Sequence, residues 1–415
     1  MTPGTLSILH FSTADQLGGS ARSAYRIHSA LRARGHVSRM LVGMKVGADP
    51  DVDTVWHGKA GRLANRLADE VTWRLGLQYA YVPSTRRVLR HRWVEQAGLF
   101  QLYNTHGGYF ATRMLRALSA RAPIVWRLSD LWPLTGHCAY PGPCERWRNG
   151  CGRCPDLETW PRIGVDRTAQ LWRLKDELYK ACRITVVAPS TWTERLARES
   201  PLLGRFPVHR IPNGIDLERY RPRERTAARA ALGFERGASV ILFTAHGLDA
   251  NARKGSEDAI QALQRLGPRP GTCVALAGEG GASWQARIPL PVLNLGFIKD
   301  EARLGEVYAS ADLLLAPSRA ENLPNNVLEA IACGIPVVAY DAGGMADAVR
   351  HLQTGWLAPH GDVDALTEGV RRLLDDPALA RRLGEDGRRL AEREFAADVE
   401  AQRFESLYRE VVGAA

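Results

Sequence analysis

The chain has 415 residues, enough for two domains, because a single hydrophobic core stops growing at about 250–300 residues. Its 45% hydrophobic and 24% charged residues are those of an ordinary soluble globular protein, and no apolar run approaches the ~20 residues that would exclude that class by spanning a membrane. The net charge of +10 asks for an anionic partner, and residues 1–10 lack the features of a secretory signal, so a cytosolic chain is expected.

Leu6–Phe11 reads as a buried strand, followed by Asp15-Gln-Leu-Gly18-Gly19-Ser20 and a helix from Ala21 to about Arg34, stopped by Gly35. A glycine turn from strand into helix start is a phosphate cradle, although glycine also serves a tight turn alone. The dinucleotide pattern Gly-x-Gly-x-x-Gly is absent. After a strand at Val37–Val42, residues 56–95 carry His57, Lys59, Arg62, Arg66, Arg74, Arg86, Arg87, Arg90, His91 and Arg92 among Trp56, Trp73, Tyr79, Tyr81 and Trp93. This stretch suits an anionic membrane surface, and equally a solvated helix pair whose Trp residues are core. No helix-turn-helix, finger spacing or aromatic RNA-binding signature accompanies it, which discounts nucleic acid.

Strands at Leu99–Tyr103, Ile124–Leu128 and Ile184–Ala188 alternate with helical patterns, the mark of a parallel sheet that binds ligands at its carboxyl edge. That edge receives Asn104-Thr-His106-Gly107-Gly108 and Ser129-Asp130-Leu-Trp-Pro-Leu-Thr-Gly136-His137-Cys138. Both phrases put polar side chains at that edge, Asp130 and His106 among them; a histidine at a strand end also serves structural hydrogen bonding. Four of the seven cysteines fall in one segment, Cys138-x5-Cys144-x6-Cys151-x2-Cys154. Without a secretion signal, four thiols are read as ligands of a structural zinc, with disulfides or unliganded thiols as the alternatives. Cys182, Cys273 and Cys333 read as core.

The Ile211-Pro-Asn-Gly-Ile-Asp216 turn leads to a second strand–helix series at Ser239–Thr244, Cys273–Ala277, Val292–Leu295, Asp312–Ala316 and Pro336–Tyr340, with a last helix from about Ala397 to Val411. Arg253-Lys254-Gly255 follows the first of these strands, where cations can neutralise a diphosphate. Between Asp312–Ala316 and Pro336–Tyr340 lie two carboxylates, Glu321 on the loop and Glu329 inside the next helix, with Pro324 in that helix's first turn and Gly334 ending it. Backbone N–H groups of Leu323 to Asn325 favour an anionic group, and Asn322, Leu323 and Pro324 are expected among the ligand contacts. Asp362-Val-Asp364 has the form of a divalent-metal motif but opens a helix, where capping suffices, so chemistry without a catalytic divalent metal is expected.

Glu321-x7-Glu329, in its Ser-Arg-Ala-Glu-Asn-Leu-Pro and Ala-Cys-Gly-Ile-Pro-Val-Val-Ala context, resembles glycosyltransferase family 4, retaining enzymes of the GT-B fold. The Asp130-x-Trp-x-x-Thr-Gly-x-Cys phrase resembles a colanic-acid and exopolysaccharide subgroup, with Ser129 where that subgroup has His; the retained Asp130, and then His106, are the catalytic candidates that this resemblance implies in the first domain. The resemblance implies an α/β fold of two Rossmann-like domains with parallel sheets facing across a cleft: residues 1–206, completed by 397–415, on the acceptor side, and 207–396 on the donor side. It implies a UDP- or GDP-sugar donor, with Glu329 at the ribose, Glu321 at the sugar and Lys254 at the phosphates. Gly18 and Gly19 would face donor diphosphate and acceptor. His246-Gly247 stands where the family has Gly-Arg, leaving Arg253 as the substitute cation, and Ala346-Asp347 replaces a Pro-Glu pair. A lipid-linked or glycan acceptor follows from the same resemblance, and the basic aromatic stretch would hold the protein at the inner face of the plasma membrane. A nucleotide-sugar 2-epimerase and a non-catalytic zinc-binding interaction protein are the alternatives.

Overall fold

The computed structural model describes residues 4–56, 58–235, 237–249 and 251–414, so that His57 of the basic stretch and Ala250 of the loop before Arg253 lie outside the described residues. The chain divides into two units, Met1–Pro212 with Glu400–Ala415, and Asn213–Val399. Each is built on a parallel sheet wound with helices.

The first sheet has seven strands: β1 Ser7–Ala14, β2 Val37–Met44, β3 Val52–Thr54, β4 Leu99–Leu102, β5 Ile124–Arg127, β6 Ile184–Ala188 and β7 Val208–Arg210. Their order is β3-β2-β1-β4-β5-β6-β7, with every pairing parallel and registers such as Ile8 beside Leu99 and Ile124 beside Ile184. β4, β5 and β6 are buried along their whole length, as expected for strands covered on both faces. Helix α1 (Gly19–Ala33) buries Ala24, Ile27 and Leu31 in a core shared with Phe404, Leu407 and Tyr408 of the helix Ala397–Gly413. The Tyr408 hydroxyl donates to Gln101 Oε1 at 2.8 Å, which fixes that last helix to β4.

The second sheet runs β10-β9-β8-β11-β12-β13, all parallel: β8 Ser239–Thr244, β9 Thr272–Ala277, β10 Val292–Asn294, β11 Leu313–Ala316, β12 Val337–Tyr340 and β13 Gly355–Ala358. β8 and β11 are neighbours, with Leu313 beside Ile241, so the loops leaving their carboxyl ends emerge side by side. The helix Asn325–Ala332 between β11 and β12 is buried from Val327 onward. Pro324 is its N-cap, one position earlier than the first-turn place read from the sequence, and contributes no side-chain cap. Asp362 caps the helix Val363–Asp375 by accepting from the Ala365 N–H at 2.9 Å. Among the described residues, no helix is long and apolar enough to cross a membrane.

Candidate active site

In the second unit, the loop after β8 and the loop after β11 interlock. The Arg319 N–H donates to the Arg253 carbonyl at 2.8 Å. Gly255, at φ 71°, lies so close to the other loop that a Cβ there would stand 1.9 Å from the Pro317 carbonyl oxygen. Gly343 presses on the same loop from the far side, and a Cβ there would stand 1.9 Å from the Glu321 carbonyl oxygen. These are places where only glycine fits, because the left-handed conformation and the close backbone approach both exclude a side chain. Arg319 then forms a bidentate pair with buried Asp258, both bonds 2.6 Å, locking the loop onto the helix Ser256–Leu266.

The product of this packing is a buried carboxylate held by two cations. Lys254 Nζ donates to Glu321 Oε1 at 2.5 Å, and an Arg253 guanidinium nitrogen donates to the same oxygen at 2.9 Å and to the Ala320 carbonyl at 2.9 Å. Burial pushes the Glu321 pKa up. Attraction to Lys254 and Arg253, with hydrogen bonds from Lys254 and Ser318, outweighs it and leaves the carboxyl below its usual range. Glu321 is therefore an anion with part of its hydrogen-bonding capacity already used. Glu329 is also buried, and it meets the Tyr308 hydroxyl, which is pushed up by burial and by that carboxylate. Tyr308 in turn lies 3.3 Å from Thr244 Oγ1, at the end of β8, and the Asn326 amide reaches the same hydroxyl at 3.3 Å. Asn326 Oδ1 is buried with no hydrogen-bond partner, an acceptor available to a ligand group. Asn322 and Leu323 are buried, and the Leu323 carbonyl and Asn325 Oδ1 both accept from the Asn213 amide at 3.1 Å.

The first unit carries a separate polar constellation at the carboxyl edge of β1, β4 and β5. Gly18, at φ 87°, is the N-cap of α1 without a side-chain cap, and Gly19 is the first helical residue. Next to them the Ser20 hydroxyl donates to Asn104 Oδ1 and to Ser129 Oγ, the latter at 2.8 Å. His106 Nε2 lies 2.7 Å from Asp130 Oδ2, and the Asn104 amide reaches that same oxygen at 2.5 Å. The Trp132 N–H donates to Asp130 Oδ1 at 2.9 Å, so the carboxylate is oriented from both sides. His106 Nδ1 is buried with no partner. A buried His–Asp pair with one ring nitrogen unfilled can accept or relay a proton from a hydroxyl brought to it. Ser20 and Asn104 belong to this network but had not been singled out from sequence; the signal was a serine directly after the glycine pair at a helix start.

His137 lies elsewhere. Its Nδ1 meets the Pro161 carbonyl at 3.1 Å and its Nε2 meets Cys154 Sγ at 3.3 Å. Cys138, Cys144, Cys151 and Cys154 line one cavity of about 20 Å³ with it, room for a single water-sized sphere. The zinc read from their spacing is not supported: among the described residues no group of three or more His, Cys, Asp or Glu is placed to hold a metal ion. Burial pushes the Cys138 thiol up to about 12 and the Cys151 thiol up to about 11. Cys151 Sγ accepts from the Gly136 N–H at 3.2 Å, and the Cys154 thiol donates to the Asp156 carbonyl at 3.3 Å. The bracing of this loop comes instead from buried Lys175. Its ammonium donates to the Trp132 and Thr135 carbonyls at 2.6 and 2.9 Å and sits 3.3 Å over the Trp132 ring.

Two parallel sheets wound with helices, each with a polar cluster at its carboxyl edge, define a two-domain α/β protein with candidate ligand sites in both units. Residues 17–219 match the model described as Glycosyltransferase Family 4, and residues 224–390 match Glycosyl transferases group 1. The chain belongs to these GT-B glycosyltransferases. WcaC of Escherichia coli (strain K12), named for glycosyl transfer in colanic acid biosynthesis, is 29% identical over 241 residues, 55% of this chain and 53% of that protein. The chain spans about half the length of the curated relatives it matches. Among solved structures, sucrose-phosphate synthase from Thermosynechococcus elongatus superimposes with a TM-score of 0.71 at 18% identity, covering 99% of this chain and all of that one. Anabaena HepE in complex with UDP-glucose gives a TM-score of 0.68 at 18% identity, covering 97% of this chain and 99% of that one.

Proposed function

We propose that the protein transfers a hexose from a UDP- or GDP-sugar, with retention at the anomeric carbon, to a lipid-linked or glycan acceptor in exopolysaccharide or capsule assembly. The observation that carries this reading is the buried Glu321 carboxylate bearing both Lys254 and Arg253 on one oxygen. In this reading residues 207–396 bind the donor. Lys254 and Arg253 exchange part of their contact with Glu321 for the diphosphate oxygens, and their charge stabilises the departing group. Glu321 then accepts from the sugar hydroxyls and Glu329 from the ribose. Asn326 Oδ1 and the backbone around Asn322, Leu323 and Pro324 complete the donor contacts.

Attack on the same face as the departing diphosphate lets a phosphate oxygen take the acceptor proton. The C–O bond to the acceptor forms as the bond to phosphate breaks, and the nucleoside diphosphate leaves with the electron pair. Positioning and charge then supply most of the rate. Residues 1–206 with 397–415 bind the acceptor, with Gly18 and Gly19 at the phosphate and acceptor ends and the His106–Asp130 pair oriented towards the acceptor hydroxyl. The HepE neighbour's UDP-glucose and the WcaC likeness support the donor class and the polysaccharide setting. Cytoplasmic placement at the inner face of the plasma membrane fits a lipid-linked acceptor.

The test is incubation with a panel of nucleotide sugars and lipid-linked or oligosaccharide acceptors, followed by product NMR. Release of nucleoside diphosphate with an α-linked product from an α-configured donor supports the reading. An inverted linkage, or free epimerised sugar formed without acceptor, refutes it.

A further inference from the structure

Helix α2 (Gly58–Arg74) of the first unit is built inside out. Its buried positions are Asn65 and Thr72. Asn65 is fixed there by two bonds to Ser84, its amide donating to Ser84 Oγ at 2.8 Å and its Oδ1 accepting from the Ser84 N–H at 3.0 Å. Trp73, half-buried, is covered by the Arg162 guanidinium 4.4 Å above its ring. The leucines point the other way: Leu63, Leu67, Val71 and Leu75 are 57, 59, 56 and 49% exposed. They recur every fourth residue, and the Leu75 N–H still donates to the Val71 carbonyl at 3.1 Å, so the row continues through the helix end. At 1.5 Å per residue the row is about 18 Å long. A soluble surface helix does the opposite, turning its apolar stripe inward. Single exposed apolar residues are ordinary, whereas a contiguous row marks an interaction surface.

Charge selects the occupant. With 3.6 residues per turn, Lys59, Arg62 and Arg66 fall along one flank of the row, all exposed. Residues 58–95 together hold eight Lys and Arg against three Asp and Glu. Two copies packed through this row would set one basic flank near another, which opposes self-association. An anionic lipid surface accepts both halves, the leucines into the acyl boundary and the cations among the headgroups.

We infer that Leu63, Leu67, Val71 and Leu75 of α2 are an interfacial anchor that inserts into anionic bilayers. For its setting this rests on the membrane-face reading above, but its evidence is independent of the donor site.

The experiment is co-sedimentation of the full chain with mixed phosphatidylglycerol–phosphatidylethanolamine vesicles and with phosphatidylcholine vesicles. The expected result is partition onto the anionic vesicles only. Leu63→Gln with Leu67→Gln should weaken it more than about tenfold at any salt, with an unchanged melting temperature, since both sites are exposed. Arg62→Gln with Arg66→Gln should weaken it and flatten its salt dependence. Wild-type protein that ignores anionic vesicles, or a leucine variant that still binds them, overturns the inference. So does a lipid-free dimer, seen by sedimentation velocity, that the leucine variant converts to monomer. The nucleotide-sugar thermal shift is read on the same variants. Loss of vesicle binding in the leucine variant with that shift intact supports the anchor alone; absence of the shift in wild-type protein is a failure of the donor reading alone.

Discussion

Lys254 Nζ and Glu321 Oε1 stand 2.5 Å apart although 67 residues separate them, and Arg253 shares the same oxygen. The carboxylate holds both cations on the loop that follows β8. Lys254→Ala should lower kcat by about 10²–10³, the usual cost of removing one donor to a developing anion. Because both cations serve one oxygen, Arg253→Ala and Lys254→Ala should be non-additive, the double variant losing less than the product of the singles. Steady-state kinetics of the three variants checks this.

Gly343→Ala places a Cβ 1.9 Å from the Glu321 carbonyl oxygen at φ 62°. Gly361→Ala meets nothing within 4 Å at φ 80° and carries backbone strain alone. The control should cost about 1–2 kcal/mol. Gly343→Ala should cost more in urea unfolding, and should also raise KM for the donor by moving Glu321. Equal costs with unchanged KM would place the Glu321 loop free of Gly343.

The His106–Asp130 pair is assembled wholly within the first unit, by Asn104, Ser20 and the Trp132 N–H. Asp130→Asn should lower kcat by about 10², the cost of misplacing the acceptor hydroxyl whose proton the departing phosphate takes. Donor affinity by calorimetry should stay unchanged, since no donor contact comes from this pair. His106→Gln, whose amide nitrogen stands near the Nε2 position and keeps a donor to Asp130, should lose catalysis as well but retain the melting temperature.

Acid should loosen the first unit through His28. Its Nδ1 meets Ser38 Oγ at 2.8 Å, and Ser38 also meets His10 Nε2 at 2.9 Å. Burial, partly opposed by Asp49, lowers the His28 pKa from 6.5 to about 4, and burial lowers His10 as well. Between those values the unfolded chain binds more protons than the folded one, so stability is lost as pH falls from 6.5 towards 4. The loss attached to His28 is on the order of 3 kcal/mol. Unfolding by circular dichroism at stepped pH should show it, and His28→Asn should flatten the slope in that window.

What the sequence made legible follows from burial. Ile184–Ala188 and Leu313–Ala316 are covered on both faces, and each reads as an unbroken apolar run. β3 and β13 went unread because both are edge strands, short and partly exposed, where no such run is needed. Motif spacing pointed to Glu321 and Lys254 separately. Their contact depends on β8 and β11 being neighbours, which no local pattern records. The same holds for Ser20 with Asn104 and Ser129, joined only because β1, β4 and β5 are adjacent. The cysteine spacing pointed to a cluster, and Cys138, Cys144, Cys151 and Cys154 do line one cavity, but spacing does not report backbone direction. Cys151 and Arg153 take left-handed conformations at φ 58° and 48°, and Cys138 turns into a buried pocket. Lys175, in the middle of an ordinary helical pattern, gave no hint that it fastens two loop carbonyls.

The central claim is that Glu321, Lys254 and Arg253 form the seat of a nucleoside diphosphate sugar. Thermal shift with UDP-, GDP- and ADP-sugars, run in parallel on wild-type and Lys254→Ala protein, addresses it most directly. The account predicts that one base class raises the wild-type melting temperature and that the variant, still folded, loses that rise. An equal rise in both proteins, or none in wild-type protein with any donor, would contradict it.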